Sequence, residues 1–168
     1  MNIMILFLPK FFDEVRCEQL NRIALDYEKR KALSYEGGDY HYANSYGTAR
    51  IPEYERLLND LTPIIKAKIG LENIVVENSY TRIYYNGSVL KRHTDRVGLD
   101  VTLSVCTFSN ITTPWPLHIE NNGKIESVET KPGDGALMFG TKYPHWRDQL
   151  NADEGCKVIQ SFYHWKFA

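Results

Sequence analysis

The chain reads as mainly β with a helical first third: an α+β fold whose antiparallel strands form a sandwich or barrel, with two helices packed on one sheet. Three observations give this class. Apolar residues recur at helical spacing in the first third and in short extended runs from Ile74 onward. Turns rich in Gly, Pro and Asn separate those runs. An aromatic share of 12%, helped by 11 tyrosines, suits strands.

Taken in order, MNIMILFLPKFF opens with a short apolar run that Lys10 interrupts and no basic residue precedes. It is too short to span a bilayer and has no cleavage pattern, so an opening strand is expected. Asp13 can cap a helix running to about Leu33, with Cys17, Leu20, Ala24 and Tyr27 on one face. Residues 34–50, SYEGGDYHYANSYGTAR, have no apolar period. They are expected to form a long loop, a mobile cover over the mouth of the barrel. Pro52 suits the first turn of a second helix that carries Tyr54, Leu57, Leu58 and Leu61 inward. Pro63 should kink or restart it and Gly70 should end it.

Six extended runs follow: IVVENSYTRIYY, DVTLSVCTF, WPLHIE, KIESVET, GALMFG and CKVIQSFYHW. Turns are expected at Asn86-Gly87, Asn121-Asn122-Gly123 and Pro132-Gly133-Asp134-Gly135. With no repeat, linker or low-complexity segment, residues 1–168 read as one domain, with helical support over about 1–72 and a β core over about 73–168.

An apolar share of 43% and a charged share of 24% are those of a soluble globular protein. The net charge of -1, from 20 basic and 21 acidic residues, sets up no field for nucleic acid or an anionic membrane. Cys17, Cys106 and Cys156 are far apart and form no CxxC pair. They read as reduced thiols, which places the protein in the cytoplasm.

The chemistry is concentrated in LKRHTDRVG. His93 and Asp95 lie two apart, so on a strand both side chains leave from one face. An imidazole and a carboxylate aimed at one point make half of a metal site. His145, after the apolar run ALMF in FGTKYPHWRDQL, is the candidate third ligand. Two histidines and one carboxylate on one side of an ion leave positions open for oxygen and a co-substrate, which suits Fe(II).

The order of the surrounding features resembles the 2-oxoglutarate- and Fe(II)-dependent oxygenases, in particular their prolyl-hydroxylase-like branch. YYNGSVLKRHTD is similar to that branch's tyrosine, turn glycine and HxD; DVTLSVCTFSN to its next core strand. KPGDGALMFGTKYPHW resembles its Gly-Asp turn, apolar strand and distal histidine, and CKVIQSFYHW its final strand. The resemblance covers about residues 74–167 and implies a double-stranded β-helix (jelly-roll) core with N-terminal supporting helices.

It further implies an Fe(II) dioxygenase that consumes O2 and 2-oxoglutarate, with ascorbate as a further cofactor. Such an enzyme would hydroxylate a peptidyl side chain of the prolyl type or a free amino acid, and release succinate and CO2. The far carboxylate of 2-oxoglutarate needs a cation and a hydroxyl donor. The resemblance assigns these to Lys157 and Tyr84, with Arg147, two residues after His145, as the rival cation. Arg82 is a third candidate, because it shares a strand face with Tyr84.

Other residues carry blander expectations. His41, in the long loop, could touch substrate but is expected in solvent, while His118 and His164 are expected to serve packing or hydrogen bonding. Trp115, Trp146 and Trp165 read as core or rim residues and not as a base-stacking platform. The rival functions are a nucleic-acid dealkylating oxygenase, a cupin-like metal-binding enzyme and a catalytically silent binding module. The first should show a basic surface and a second spaced arginine on the last strand, neither of which is evident, and the last should have lost a ligand, whereas all three candidates are here.

Overall fold

The computed structural model describes all residues except 1, 2 and 40. Strand β1 (Ile5–Leu8) leads into helix α1 (Glu14–Lys29), whose N-cap Asp13 accepts a hydrogen bond from the Arg16 N–H at 2.8 Å. The helix ends four residues short of Leu33, and Lys31 takes a positive φ of 57° in the turn that follows. Helix α2 (Pro52–Ile69) starts at its proline and stops at Gly70, which sits in the left-handed region. Pro63 neither ends nor restarts it: the assigned helix runs through.

The expected loop at 34–50 is largely sheet. Strands β2 (Ser34–Tyr35) and β3 (Tyr42–Ala49) form a hairpin, and β3 pairs antiparallel with β4 (Ile74–His93). Pairing to an existing edge supplies the order that the segment's own composition does not. A mobile cover of that length is therefore corrected to a paired strand with a short turn.

The remaining strands are β5 (Val101–Ser109), β6 (Leu117–Asn121), β7 (Lys124–Val128), β8 (Gly135–Met138), β9 (His145–Arg147) and β10 (Lys157–Phe167). Their order is β1-β8-β5-β10-β4-β9-β6-β7, all antiparallel. Strand β4 joins the two halves of this path. Its first part pairs with β10 and its end, Leu90 to His93, pairs with β9. The Asn86-Gly87 pair makes no hairpin; the strand continues through it with Gly87 at φ 84°. That positive φ favours glycine, and a Cβ there would also displace the Asn44 side-chain nitrogen, 2.6 Å away.

Helix-facing residues Leu103, Val105, Tyr163 and Trp165 pack with Leu20, Tyr54, Leu58 and Ile65. A second layer lies between the two halves of the sheet, with Leu90, Ile119 and Met138 in one cluster and Tyr84, Trp115 and Val158 in another. This arrangement is a double-stranded β-helix supported by two helices. The three cysteines are unpaired, two of them buried. Among the described residues no helix is long and apolar enough to cross a membrane.

Candidate metal centre and its cavity

Register places two of the ligand candidates together. His93 is the last residue of β4, His145 is the first of β9, and the two are direct cross-strand partners with ring centroids 4.6 Å apart. Asp95 lies just beyond the end of β4, where its N–H donates to the Gly140 carbonyl at 2.9 Å. Its Oδ1 lies 3.2 Å from His145 Nε2 and 3.5 Å from His93 Nε2. One ligand atom from each of the three residues falls within 4.8 Å of the others.

The backbone decides what those atoms offer. His93 Nδ1 is 2.6 Å from the Lys91 carbonyl and His145 Nδ1 is 3.0 Å from the Tyr143 carbonyl. A carbonyl only accepts, so each Nδ1 carries the proton and each Nε2 is left with a lone pair. Two lone pairs and a carboxylate oxygen then face one point, an arrangement that a cation relieves. Neutral imidazole nitrogens with one carboxylate fit a divalent transition metal.

Thr102 Oγ1 donates to Asp95 Oδ2 at 3.3 Å. A Cβ at Gly140 would fall 1.9 Å from that Oδ2, so only glycine lets the aspartate sit where it does.

The three cation candidates fall in different places. Lys157 is on the helix side of β10, the side of Ile159, and its Nζ pairs with Glu28 of α1 at 3.2 Å. Expected to hold a co-substrate carboxylate, it starts the right strand but stands on the face away from the candidate ligands. Arg82 lines the cavity but is already bound by Glu36, Nε to Oε1 at 3.0 Å and Nη2 to Oε2 at 3.1 Å.

Arg147 is inside. It is 4% exposed, stands two residues beyond His145 on the same strand face, and donates from Nη1 to the Trp115 carbonyl at 2.7 Å. No carboxylate of the described residues is within ion-pair distance of it; Glu129 binds the Trp115 N–H instead. Burial pushes the guanidinium below its usual range, against the opposing influence of Tyr84, Cys106 and Glu129. Tyr84 is fully buried in the same layer, and its hydroxyl accepts from Arg82 Nη1 at 3.3 Å.

A cavity of about 820 Å³ opens beside His93 and Asp95 and is walled by Tyr42, Tyr80, Phe162 and His164. His41, expected in solvent, stands half-buried at its rim with its ring 5.2 Å from that of His93. His118 matches its expectation, bonding Ser127 and Asp148 away from the centre. Nothing in the sequence around Glu36 or Gly140 signals a role at the site, and His164 is expected only to pack or hydrogen-bond. For His164 the signal was available: alternation on the last strand puts it with Phe162 and Gln160.

No family model matches the chain, and no curated protein does. Solved structures do. A Pseudomonas putida prolyl-4-hydroxylase matches with a TM-score of 0.74 and 14% identity over 97% of this chain and 93% of its own. A Burkholderia pseudomallei oxidoreductase of the 2OG-Fe(II) oxygenase family gives 0.76 and 12%, over 98% and 85%. A viral collagen prolyl hydroxylase from Paramecium Bursaria Chlorella virus-1, in complex with 2OG, gives 0.65 and 15%, over 98% and 97%. At such identities the likeness is one of architecture, and this chain has the double-stranded β-helix fold of the 2-oxoglutarate- and Fe(II)-dependent oxygenases, prolyl hydroxylases included.

Proposed function

We propose that the protein is an Fe(II)- and 2-oxoglutarate-dependent dioxygenase that hydroxylates a peptidyl side chain or an amino acid, with release of succinate and CO2. The observation that carries this reading is the convergence of His93 Nε2, His145 Nε2 and Asp95 Oδ1, with both Nδ1 atoms tied to backbone carbonyls. The three residues would hold the ion on one side and leave its other positions to the co-substrate and O2. When bound, iron and 2-oxoglutarate supply the oxidising chemistry, while the chain supplies position and excludes water.

The far carboxylate of 2-oxoglutarate is assigned to Arg147. Two residues along a strand span about 7 Å, which suits a dicarboxylate chelated at His145 and reaching inward. A buried guanidinium with one carbonyl partner and no carboxylate among the described residues is a ready receptor for such an anion. Tyr84, in the same layer, supplies the hydroxyl. Lys157, engaged by Glu28 on the far side of the sheet, takes no part.

The test is an anaerobic titration with Fe(II) and 2-oxoglutarate, read by the visible absorption of the chelate. Wild type should bind both. Arg147→Ala should weaken 2-oxoglutarate a hundredfold or more while Fe(II) still binds, since losing one partner of a buried charge pair costs about 3–5 kcal/mol. If Arg147→Ala binds 2-oxoglutarate normally, the assignment is wrong. If wild type forms no chelate, the oxygenase reading fails.

A further inference from the structure

The cavity beside the metal centre carries several formal charges, and the buried ones have partners within the chain. Glu36 is held by Arg82 and by the Tyr80 hydroxyl at 3.1 Å. Asp39, beside His41 at 3.0 Å, and Arg96, which reaches Glu77 at 3.4 Å, are 50% and 57% exposed and stand in solvent at the rim. Asp95 belongs to the metal centre. What remains on the wall is neutral: the rings of Tyr42 and Phe162, and His164. A free amino acid brings an ammonium and a carboxylate, and burying either without a partner is costly.

His164 is 7% exposed and faces this cavity from β10, with its ring parallel to that of Phe162 at 6.4 Å. Its Nδ1 lies 3.1 Å from the Asn78 side-chain oxygen on the neighbouring strand. An amide oxygen only accepts, so the ring proton is on Nδ1 and the lone pair is on Nε2. Among the described residues nothing hydrogen-bonds to that Nε2. Burial pushes the imidazole down to about 4, with Asp95 opposing, so at neutral pH it is an uncharged acceptor.

The geometry points to His164, oriented by Asn78, as the residue that selects the substrate: its Nε2 accepts a hydrogen bond from an amide N–H or hydroxyl of an uncharged segment lying in the cavity. This inference rests on the oxygenase reading and narrows it, favouring a residue within a polypeptide over a free zwitterionic amino acid. The specificity comes from what the wall lacks as much as from what it offers.

The test uses the full chain with 15N-labelled histidine, loaded with Zn(II) and 2-oxoglutarate so that no turnover occurs. The probes are the proteinogenic amino acids, free and as their N-acetyl amides. The ring spectrum should show the His164 proton on Nδ1. At least one capped probe should shift the Nε2 resonance, and the free forms should not. His164→Phe should weaken that probe about tenfold, the loss of one neutral hydrogen bond, while His164→Gln, which keeps an acceptor, should recover part of it. Zinc and 2-oxoglutarate should bind both variants as they bind wild type. A proton on Nε2, free amino acids binding as well as capped ones, no probe shifting the resonance, or His164→Phe binding like wild type would each overturn the proposal. Failure of the metal and 2-oxoglutarate to bind at all would strike the oxygenase reading instead, and the position of the ring proton would still be read independently.

Discussion

The two faces of β10 divide the molecule's work between stability and chemistry. On one face Ile159, Tyr163 and Trp165 are fully buried against the helices, and Trp165 donates from its indole N–H to Thr62 Oγ1 at 2.9 Å. On the other, Val158, Gln160, Phe162 and His164 look between the halves of the sheet, toward Tyr84, Ser104 and the cavity. Lys157 sits at the head of this strand on the helix face, and its charge is matched by Glu28. A basic residue at the start of the last strand is thus structural or functional by parity alone. One step of register would exchange the roles.

The largest effect expected on the cavity side is from Asp95→Ala. Loss of an outer hydrogen-bonding partner of a metal ligand costs about 10–100-fold in affinity, so loss of the ligand itself should exceed that in an anaerobic Fe(II) titration. Near-normal binding would remove the metal centre from this side of the comparison. Trp165→Ala should act on the helix side: about 3–5 kcal/mol of stability in urea unfolding.

His164 gives a smaller, signed effect. Its folded value lies near 4 against 6.5 in the unfolded chain, so the unfolded state binds the proton first and stability falls as pH drops through that window. Between pH 7 and pH 5 wild type should lose about 2 kcal/mol that His164→Phe does not lose. An identical pH profile for the two proteins would mean that His164 is not buried as described.

The smallest effect belongs to Lys157→Ala. Its pair with Glu28 is about a quarter exposed on each side, and such pairs are worth at most about 1 kcal/mol. Binding of 2-oxoglutarate should be unchanged. A large loss of 2-oxoglutarate affinity in this variant would reverse the roles of the two faces.

Much of the centre was legible because its signals are local. The two-residue spacing of His93 and Asp95, and the Gly-Asp turn and apolar strand before His145, are written in consecutive residues, and short-range geometry follows from them. The helices announced themselves through Asp13, Pro52 and Gly70, each of which satisfies a local backbone demand. Strand β3 carried no such signal. Its residues are Tyr, Ala, Asn, Ser, Gly and Thr, and most of its pairing is with β4, more than thirty residues away in sequence. Glu36 was invisible for the same reason: its partner Arg82 lies 46 residues on.

By itself, then, the sequence determined the candidate ligand set, the two supporting helices and the β-rich second half, because each depends on the spacing of near neighbours. Only the tertiary structure separated the three cation candidates by face and partner. Lys157, Arg147 and Arg82 are equivalent as charges, and what separates them is strand parity and partner: Glu28 for the first, a lone carbonyl for the second, Glu36 for the third. Partners of that kind are brought together by register between distant segments, and a bulge of one residue is enough to change the face on which a side chain stands.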